Sequence, residues 1–307
     1  MRRIVAIVGA TATGKTALGE TIAEAIGGEV VCADARQIFR GLDVGTGKPA
    51  AAELARRPHH LFDALELGDR ASAGGWAKRA REVCESLLAR GVTPVLVGGS
   101  GLYVGALVEG LNPEPPHAPE TRARLLAELA DSGPERMHGR LAAVDPVTAA
   151  RLAPRDRQRI VRALEVHEAS GRTLSWWHSQ APREGLAGDW RVLEVTCDPV
   201  TLAGRIEQRT RHMFRAGLPD EVRALLDRGL RAPLEELRAI GYDEALALVE
   251  GRMSQDEAES RTSARTRALA KRQRTWFRHH LAGTPLDATL ASPGELHVAA
   301  LAALGRP

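Results

Sequence analysis

The stretch Arg3 to Ile26 reads RIVAIVGATATGKTALGETIAEAI, and its segment GATATGKT at 9–16 fits the pattern GxxxxGK[ST]. An apolar run from Ile4 to Val8 precedes the pattern, and apolar residues at helical spacing follow it from Thr16 to Ile26. This order of strand, loop and helix is the context in which the pattern binds phosphate. In such a loop, backbone amides turn toward phosphate oxygens, and the N-terminus of the following helix adds positive potential.

The loop predicts a site for a diphosphate or triphosphate group, formed by Gly9, Ala10, Thr11, Ala12, Thr13, Gly14, Lys15 and Thr16. Lys15 would neutralise phosphate charge, and Thr16 would ligate Mg²⁺. A kinase or ATPase normally also needs a carboxylate at the end of a nearby strand. The strand pattern at Thr93–Val97 is instead followed by GGSG at 98–101. The sequence therefore gives no support for ATP hydrolysis.

Strand and helix patterns alternate over the first third of the chain. Strand patterns occur at Glu29–Ala33 and Thr93–Val97, and helical patterns occur around Trp76–Leu88 and Leu102–Leu107. Such alternation indicates a parallel sheet with both faces covered by helices. We therefore expect an α/β fold with a P-loop NTPase-like parallel sheet core.

A proline-rich segment, NPEPPHAP at 112–119, interrupts this alternation. The chain is then helical and arginine-rich to about Gln180, and WRVLEVT at 190–196 restores a strand pattern. We expect a helical insertion domain at 112–188. The catalytic core would consist of 1–111 and 189–307, with a basic, helical C-terminal region.

Positive charge is concentrated in two runs, although the 307-residue chain has a net charge of only +3. The first run contains no acid between residues 260 and 278, and its cations are Arg261, Arg265, Arg267, Lys271, Arg272, Arg274 and Arg278. The second is opposed only by Asp156 and comprises Arg151, Arg155, Arg157, Arg159 and Arg162. Each run suits a polyanionic partner, and each is about equally well explained as a solvated helix face.

The remaining composition predicts a cytoplasmic protein. Cys32, Cys84 and Cys197 are far apart and lack CxxC spacing, so we expect buried cysteines without a disulfide framework or zinc site. No cleavable signal pattern precedes the first strand. The uncharged stretch Gly91–Val108 contains Pro94 and several glycines, which argue against a membrane helix.

Asp34 is the best placed acid. It follows the second predicted strand, at the edge of an open α/β sheet where ligands bind. An aspartate after a strand is equally often a helix N-cap. Its position alone leaves both interpretations open.

Segments in order along nearly the whole chain resemble the tRNA dimethylallyltransferase (tRNA isopentenyltransferase) family, in its shorter bacterial form. They are GATATGKT (9–16), DARQIFRGLDVGTGKP (34–49), HHLFD (59–63), LVGGSGLYVGALVEGL (96–111), VDP (144–146), DRQRIVRALEV (156–166), RIEQRTRHMFRAGLPDEV (205–222), AIGYDE (239–244) and KRQRTWFR (271–278). The loop at the beginning combined with KRQRTWFR near the end makes the resemblance specific.

The resemblance implies transfer of a dimethylallyl group from dimethylallyl pyrophosphate to the N6 amine of adenosine at tRNA position 37. The products are N6-isopentenyladenosine and pyrophosphate. It implies Mg²⁺ as cofactor and the tRNA anticodon stem-loop as partner, and we expect a monomer without a membrane partner. Asp34 would be the general base, while Lys15 and Arg209 would bind pyrophosphate. Ser100 stands where the family usually has threonine, and would also be catalytic.

The resemblance also implies a surface that faces the tRNA. Its residues would be Asp34, Ala35, Arg36, Gln37, Ser100, Arg122, Gln158, Arg159, Ile160, Val161, Arg162, Arg238, Ala239, Ile240, Gly241, Tyr242, Asp243, Lys271, Arg272, Gln273, Arg274, Thr275, Trp276, Phe277 and Arg278. Trp176, Trp177 and Trp276 could stack on bases, but tryptophans at helical spacing are more often core residues.

Some positions depart from the family pattern. Ala35 replaces a frequent serine, Phe39 replaces a frequent tyrosine, and GGW at 74–76 replaces a tyrosine-serine helix start. Three rival interpretations remain: a small-molecule kinase or ATPase, a non-catalytic RNA-binding protein with a relict loop, and an enzyme that prenylates free adenine nucleotides. The basic segment 271–278 argues against the first and the third, and the intact Lys15, Thr16 and Asp34 argue against the second.

Overall fold

The computed structural model of the protein describes residues 3–113, 115–180 and 184–305. Met1 and Arg2, before the first predicted strand, and Glu114, within the proline-rich segment, lie outside these ranges. Contacts between residues divide the chain into two compact units. One unit consists of 1–108 and 187–307, and the other of 109–186.

The first unit contains a parallel sheet of six strands in the order β3-β2-β4-β1-β5-β6. The strands are β1 (Arg3–Gly9), β2 (Glu29–Cys32), β3 (His59–His60), β4 (Pro94–Gly98), β5 (Asp189–Thr196) and β6 (Thr284–Asp287). Its helices are α1 (Lys15–Ile26), α2 (Ala51–Leu54), α3 (Ala73–Ala89), α4 (Gly101–Val108), α10 (Pro199–Arg215), α11 (Leu218–Asp227), α12 (Arg231–Leu237), α13 (Tyr242–Val249), α14 (Gln255–His280) and α15 (Pro293–Ala303). The parallel α/β fold predicted from the sequence is confirmed.

The second unit contains helices joined by loops, and no strand among its described residues. Its helices are α5 (Pro119–Ser132), α6 (Pro134–Val144), α7 (Pro146–Ala149), α8 (Arg157–Ser170) and α9 (Leu174–Ser179). The apolar faces of α5, α6 and α8 form its core, in which Leu125, Leu141 and Ile160 are fully buried. This core is separate from that of the sheet, so the unit buries its own apolar surface.

Strands β1 and β4 pair with each other and both end in glycine, so that β1 closely approaches β5 and β4 closely approaches the residue after β2. A Cβ atom on Gly9 would lie 2.4 Å from the carbonyl oxygen of Val195. A Cβ atom on Gly98 would lie 2.0 Å from the carbonyl oxygen of Ala33. Any larger residue would push these strand ends apart. The loops after β1, β2 and β4 are therefore held beside one another at the ligand-binding edge of the sheet.

Strands β3 and β6 and helices α2 and α15 of the sheet unit are not predicted by the sequence patterns. Strand β3 is only two residues long, and β6 reads TPLD, with a proline that a central strand would not tolerate. Proline is acceptable here because β6 is an edge strand. Helix α15 then packs against α1 and the sheet core.

Two expectations from composition can be compared with the structure. Cys32, Cys84 and Cys197 are buried and unpaired, as predicted. Among the described residues, no helix is both long and apolar enough to cross a membrane.

Candidate active site

The phosphate loop connects β1 to α1 and places a buried lysine at its centre. Lys15 is 8% exposed, and its Nζ donates to the carbonyl oxygen of Ala10 at 3.2 Å. The Thr13 hydroxyl donates to the same oxygen at 2.9 Å. Burial lowers the pKa of Lys15 to about 8, although the Asp34 carboxylate acts in the opposite direction. The loop thus holds a cation that an incoming anion would stabilise.

Arg209 of α10 lies against the same loop. Its Nη1 donates to the Thr11 hydroxyl at 3.4 Å, and its Nη2 donates to the carbonyl oxygen of Thr46 at 2.9 Å. Burial lowers the pKa of Arg209, and the nearby Asp34 carboxylate opposes that shift. A guanidinium needs several acceptors, and Arg209 retains donors for an anion placed at the loop.

Asp34 follows β2, and only one of its carboxylate oxygens is engaged. Its Oδ1 accepts from the backbone amides of Arg36 at 2.8 Å and Gln37 at 3.3 Å. The part of the chain that the structure describes provides no hydrogen-bond donor to Oδ2. Both roles considered for this residue are therefore compatible: Oδ1 caps the turn that follows, and Oδ2 accepts no hydrogen bond, while the carboxylate interacts electrostatically with Lys15 and Arg209.

Ser100 ties the loop after β4 to the loop after β2. Its Oγ accepts from the amide of Ala35 at 2.9 Å, and its own amide donates to the carbonyl oxygen of Ala33 at 3.1 Å. Ser100 therefore brackets Asp34 from both sides. Ser100 keeps the hydroxyl of the threonine that the family usually has at this position. That hydroxyl positions the segment that contains Asp34.

Trp76 belongs to the GGW segment at 74–76, which departs from the family pattern, and its side chain packs against the end of β2. Its side chain is 2% exposed, stacks on Tyr103 with ring centroids 5.0 Å apart, and donates from Nε1 to the carbonyl oxygen of Cys32 at 2.9 Å. Cys32 is the last residue of β2. The tryptophan thus satisfies the carbonyl at the strand end that presents Asp34.

The segment from Asp43 to Gly47 forms one wall of the site and contacts Arg209. Glu221 of α11 binds the backbone of this segment. The Glu221 carboxylate accepts from the amides of Val44 at 2.8 Å and Asp43 at 3.1 Å, and from the Tyr242 hydroxyl. Glu221 is not singled out by the sequence patterns, although it is the penultimate residue of the quoted motif at 205–222. Its place within that motif was the available signal.

Gln37 supports this wall from the other side. It is 8% exposed, and its Nε2 donates to the carbonyl oxygens of Thr46 at 3.2 Å and Gly47 at 3.1 Å. The amide nitrogen of Gln37 is thus already engaged inside the protein, and the expectation that Gln37 reads the tRNA stays a prediction.

Gln273 of α14 also lies at the phosphate loop. Its Oε1 accepts from the amide of Thr11 at 2.9 Å, and its Nε2 donates to the carbonyl oxygen of Gly99 at 2.9 Å. Trp276 packs so closely on Gly101 that a Cβ there would lie 2.1 Å from its ring. These two residues were expected on the tRNA surface, and the structure places them on the inner side of α14.

Two protein families match the chain. The IPP transferase family matches residues 37–280, and a family described as isopentenyl transferase matches residues 2–66. The first match covers more than half of the chain. The chain belongs to the IPP transferase family.

Curated relatives and solved structures agree with this assignment. The tRNA dimethylallyltransferase of Halorhodospira halophila is 43% identical over 306 residues, which are 98% of this chain and 98% of that protein. That of Sorangium cellulosum is 44% identical over 275 residues, 90% of this chain and 87% of that protein. The crystal structure of the tRNA isopentenylpyrophosphate transferase from Bacillus halodurans has a TM-score of 0.69 at 32% identity, covering 99% of this chain and 97% of that one.

The residues expected to face tRNA in this IPP transferase differ widely in exposure. The exposed ones are Gln158, Arg159, Arg238, Lys271, Arg272, Thr275 and Arg278. Those of intermediate exposure are Asp34, Ala35, Arg36, Ser100, Arg122, Arg162, Ile240, Asp243, Gln273, Arg274 and Trp276. The buried ones are Gln37, Ile160, Val161, Ala239, Gly241, Tyr242 and Phe277. Side chains in the last group offer little surface to a base or phosphate, and contact of these residues with tRNA stays a prediction.

In the helical unit, two of the expected arginines are engaged by one acid. Glu165 is fully buried and accepts from Arg122 at 3.0 Å, and it lies 3.1 Å from Arg162. Burial alone would raise the pKa of Glu165, but the Ala118 amide and both guanidinium groups hold it below its usual range. Arg122 and Arg162 therefore neutralise a buried charge. Gln158 and Arg159 remain on the exposed face of α8.

The basic run on α14 divides into a paired part and an unpaired part. Three of its arginines face acids of the same unit: Arg261 lies 3.7 Å from Glu244, Arg265 lies 2.6 Å from Glu244, and Arg267 lies 3.1 Å from Glu207. Lys271 and Arg272 are exposed, and no acid among the described residues forms an ion pair with them. The free positive charge is therefore confined to the C-terminal third of α14.

Proposed function

We infer that this chain is a tRNA dimethylallyltransferase, which moves the dimethylallyl group of dimethylallyl pyrophosphate to the N6 amine of adenosine 37 in tRNA. The observation that carries the proposal is the juxtaposition of a phosphate loop, the buried Lys15, the half-buried Arg209 and an aspartate with a free oxygen. Membership of the family and the names of its relatives point to the same reaction. A tRNA substrate and three unpaired cysteines fit a cytoplasmic protein, which we take to be monomeric.

The loop supplies a binding site for the leaving group. As the allylic carbon–oxygen bond breaks, negative charge grows on the diphosphate, and Lys15, Arg209 and the loop amides would stabilise it. Mg²⁺ bound to a diphosphate keeps several waters and needs only one or two protein ligands. The Thr16 hydroxyl, in the first turn of α1, fits that role. When bound, the ion would supply further neutralisation of the leaving group.

Asp34 would act on the second reactant, the adenine. The adenine N6 amine is a weak nucleophile because its lone pair is delocalised into the ring. As the new nitrogen–carbon bond forms and the carbon–oxygen bond breaks, Oδ2 of Asp34 would accept the amine proton while pyrophosphate departs. The base must leave its stack to reach this edge of the sheet, at a cost of about a few kcal/mol.

The proposal is tested by incubating the protein with labelled dimethylallyl pyrophosphate, Mg²⁺ and an anticodon stem-loop that carries adenosines at positions 36 to 38. We expect one added dimethylallyl group per RNA, located at position 37 by nucleoside mass analysis, with no nucleoside triphosphate present. Two parallel incubations test the alternatives, one with ATP added and one with free adenine nucleotides in place of the RNA. Unaltered RNA together with cleavage of the added ATP would establish the kinase or ATPase alternative. Unaltered RNA together with prenylation of the free adenine nucleotides would establish the nucleotide-prenylating alternative.

The unpaired cations of α14 give a separate test of RNA binding. Replacing both Lys271 and Arg272 by glutamine should weaken tRNA binding and reduce the slope of log Kd against log salt by about 1 to 2, because each phosphate contact releases bound counterions. The Kd is measured by fluorescence anisotropy at several salt concentrations. Arg267→Gln is the matched control, since Arg267 is on the same helix but paired with Glu207. An unchanged slope in the double variant would mean that Lys271 and Arg272 do not contact tRNA phosphates and form only a solvated helix face.

A further inference from the structure

Helix α14 has an inner face and an outer face near its C-terminal end. Ala270 and Phe277 are buried at 2% and 0% exposure, whereas Lys271 and Arg272 are exposed. Gln273 lies three residues after Ala270 and four before Phe277, which places it on the same face as both. Its side chain therefore points toward the sheet and away from the surface that carries the free charge.

The carboxamide of Gln273 connects two loops at the edge of the sheet. It accepts from the Thr11 amide of the phosphate loop and donates to the Gly99 carbonyl of the loop after β4. The fit is close, because a Cβ atom on Gly99 would lie 2.4 Å from Nε2. A carboxamide offers both a strong acceptor and an N–H donor at its end without carrying a charge. The side chain of Gln273 uses both groups at this position.

Both loops lead directly to reacting groups. The Thr11 hydroxyl accepts from Arg209, and Gly99 is followed by Ser100, which holds the amide of Ala35 beside Asp34. The side chain of Gln273 thus lies between the pyrophosphate site and the loop that positions the base. Neither loop can shift without breaking one of its two hydrogen bonds.

We propose that Gln273 is a positioning residue for the pyrophosphate of the donor and not a contact to tRNA. This inference rests on the proposed function, because it concerns the shape of the site that binds the leaving group. By holding the Thr11 amide, Gln273 keeps the phosphate loop in its binding shape before the donor arrives. Loss of the two hydrogen bonds would weaken the loop and leave the outer face of α14 unchanged.

The test compares Gln273→Met, which keeps the length of the side chain but removes both hydrogen bonds, with Arg272→Gln on the outer face. Calorimetry with inorganic pyrophosphate and Mg²⁺ should give a Kd about five- to tenfold higher for Q273M, the effect of one or two lost hydrogen bonds. Its tRNA Kd should stay within about twofold of the wild-type value. R272Q should show the reverse pattern, with weaker tRNA binding and unchanged pyrophosphate binding.

Hydrogen exchange separates a local effect from a general loss of stability. In Q273M the peptide containing 9–16 should exchange faster, while the peptide containing β5, at 189–196, should not. Should Q273M fail to fold, Gln273→Glu retains the size but places an acceptor against the Gly99 carbonyl, and it should raise the pyrophosphate Kd in the same way.

Pyrophosphate binding by Q273M within about twofold of wild type would overturn the inference, and a selective loss of tRNA binding would return Gln273 to the tRNA surface. If the wild-type protein itself binds no pyrophosphate, both the inference and the proposed function would be overturned.

Discussion

Replacement of Asp34 by asparagine should lower turnover about 10²- to 10⁴-fold, the usual contribution of a positioned general base. Asparagine retains a side-chain oxygen in place of Oδ1, so the bonds from the amides of Arg36 and Gln37 can be kept. The change removes the proposed proton acceptor, Oδ2, and the negative charge that interacts with Lys15 and Arg209. Turnover is measured under single-turnover conditions with labelled dimethylallyl pyrophosphate and saturating stem-loop RNA.

Two further measurements define what the Asp34→Asn result means. The tRNA Kd should change little, because the loss concerns a step after binding. Asp69→Asn is the control for charge, since Asp69 is exposed and its carboxylate accepts from the Glu66 amide, away from the loop. Turnover of Asp34→Asn within about twofold of wild type would remove this residue from proton transfer.

The fold and the phosphate loop could be predicted because their signals are local. GxxxxGK[ST] between an apolar strand and an amphipathic helix specifies a loop conformation within sixteen residues of the N-terminus. The strand pattern at 190–196 marked the return of the chain to the sheet, and β5 does pair with β1. In each case the physical cause is the burial of consecutive apolar residues, which a linear sequence displays directly.

The braces of the site could not be predicted because they join residues far apart in the chain. The hydrogen bond from Thr11 to Gln273 spans 262 positions, and that from Val44 to Glu221 spans 177. Polar residues within a basic or conserved-looking segment give no sign of the direction in which they point. The spacing of Ala270, Gln273 and Phe277 did contain a weak signal of an inner helix face.

The expected tRNA surface includes side chains that the structure buries. A helix turns each successive residue by about 100 degrees, so the residues of one motif segment point in different directions. Ile160 and Val161 lie in the core of the helical unit, while their neighbours Gln158 and Arg159 are exposed. A segment that faces a ligand contributes only part of its side chains to it.

Replacement of Lys15 by methionine should raise the Kd for pyrophosphate about 10- to 100-fold, because one charge-assisted hydrogen bond to a buried anion is lost. Methionine matches the length of the lysine stem, so the packing of this 8% exposed residue is largely kept. Lys78→Met, at an exposed position of α3, controls for the loss of one positive charge. Calorimetry with pyrophosphate and Mg²⁺ provides the measurement, and equal affinities for wild type and Lys15→Met would contradict the role given to this lysine.

The pH dependence of this difference tests the cause. Burial lowers the pKa of Lys15 to about 8 in the free protein, so the ammonium form predominates below that pH and is lost above it. Pyrophosphate binds the charged form of Lys15. The contribution of Lys15 ionisation to the wild-type Kd should therefore be constant below about pH 8, and it should raise the Kd about tenfold per pH unit above that pH. Ionisation of pyrophosphate itself affects both proteins equally. The ratio of the two Kd values should therefore fall toward one as the pH rises, and a ratio independent of pH would mean that Lys15 acts through its shape and not through its charge.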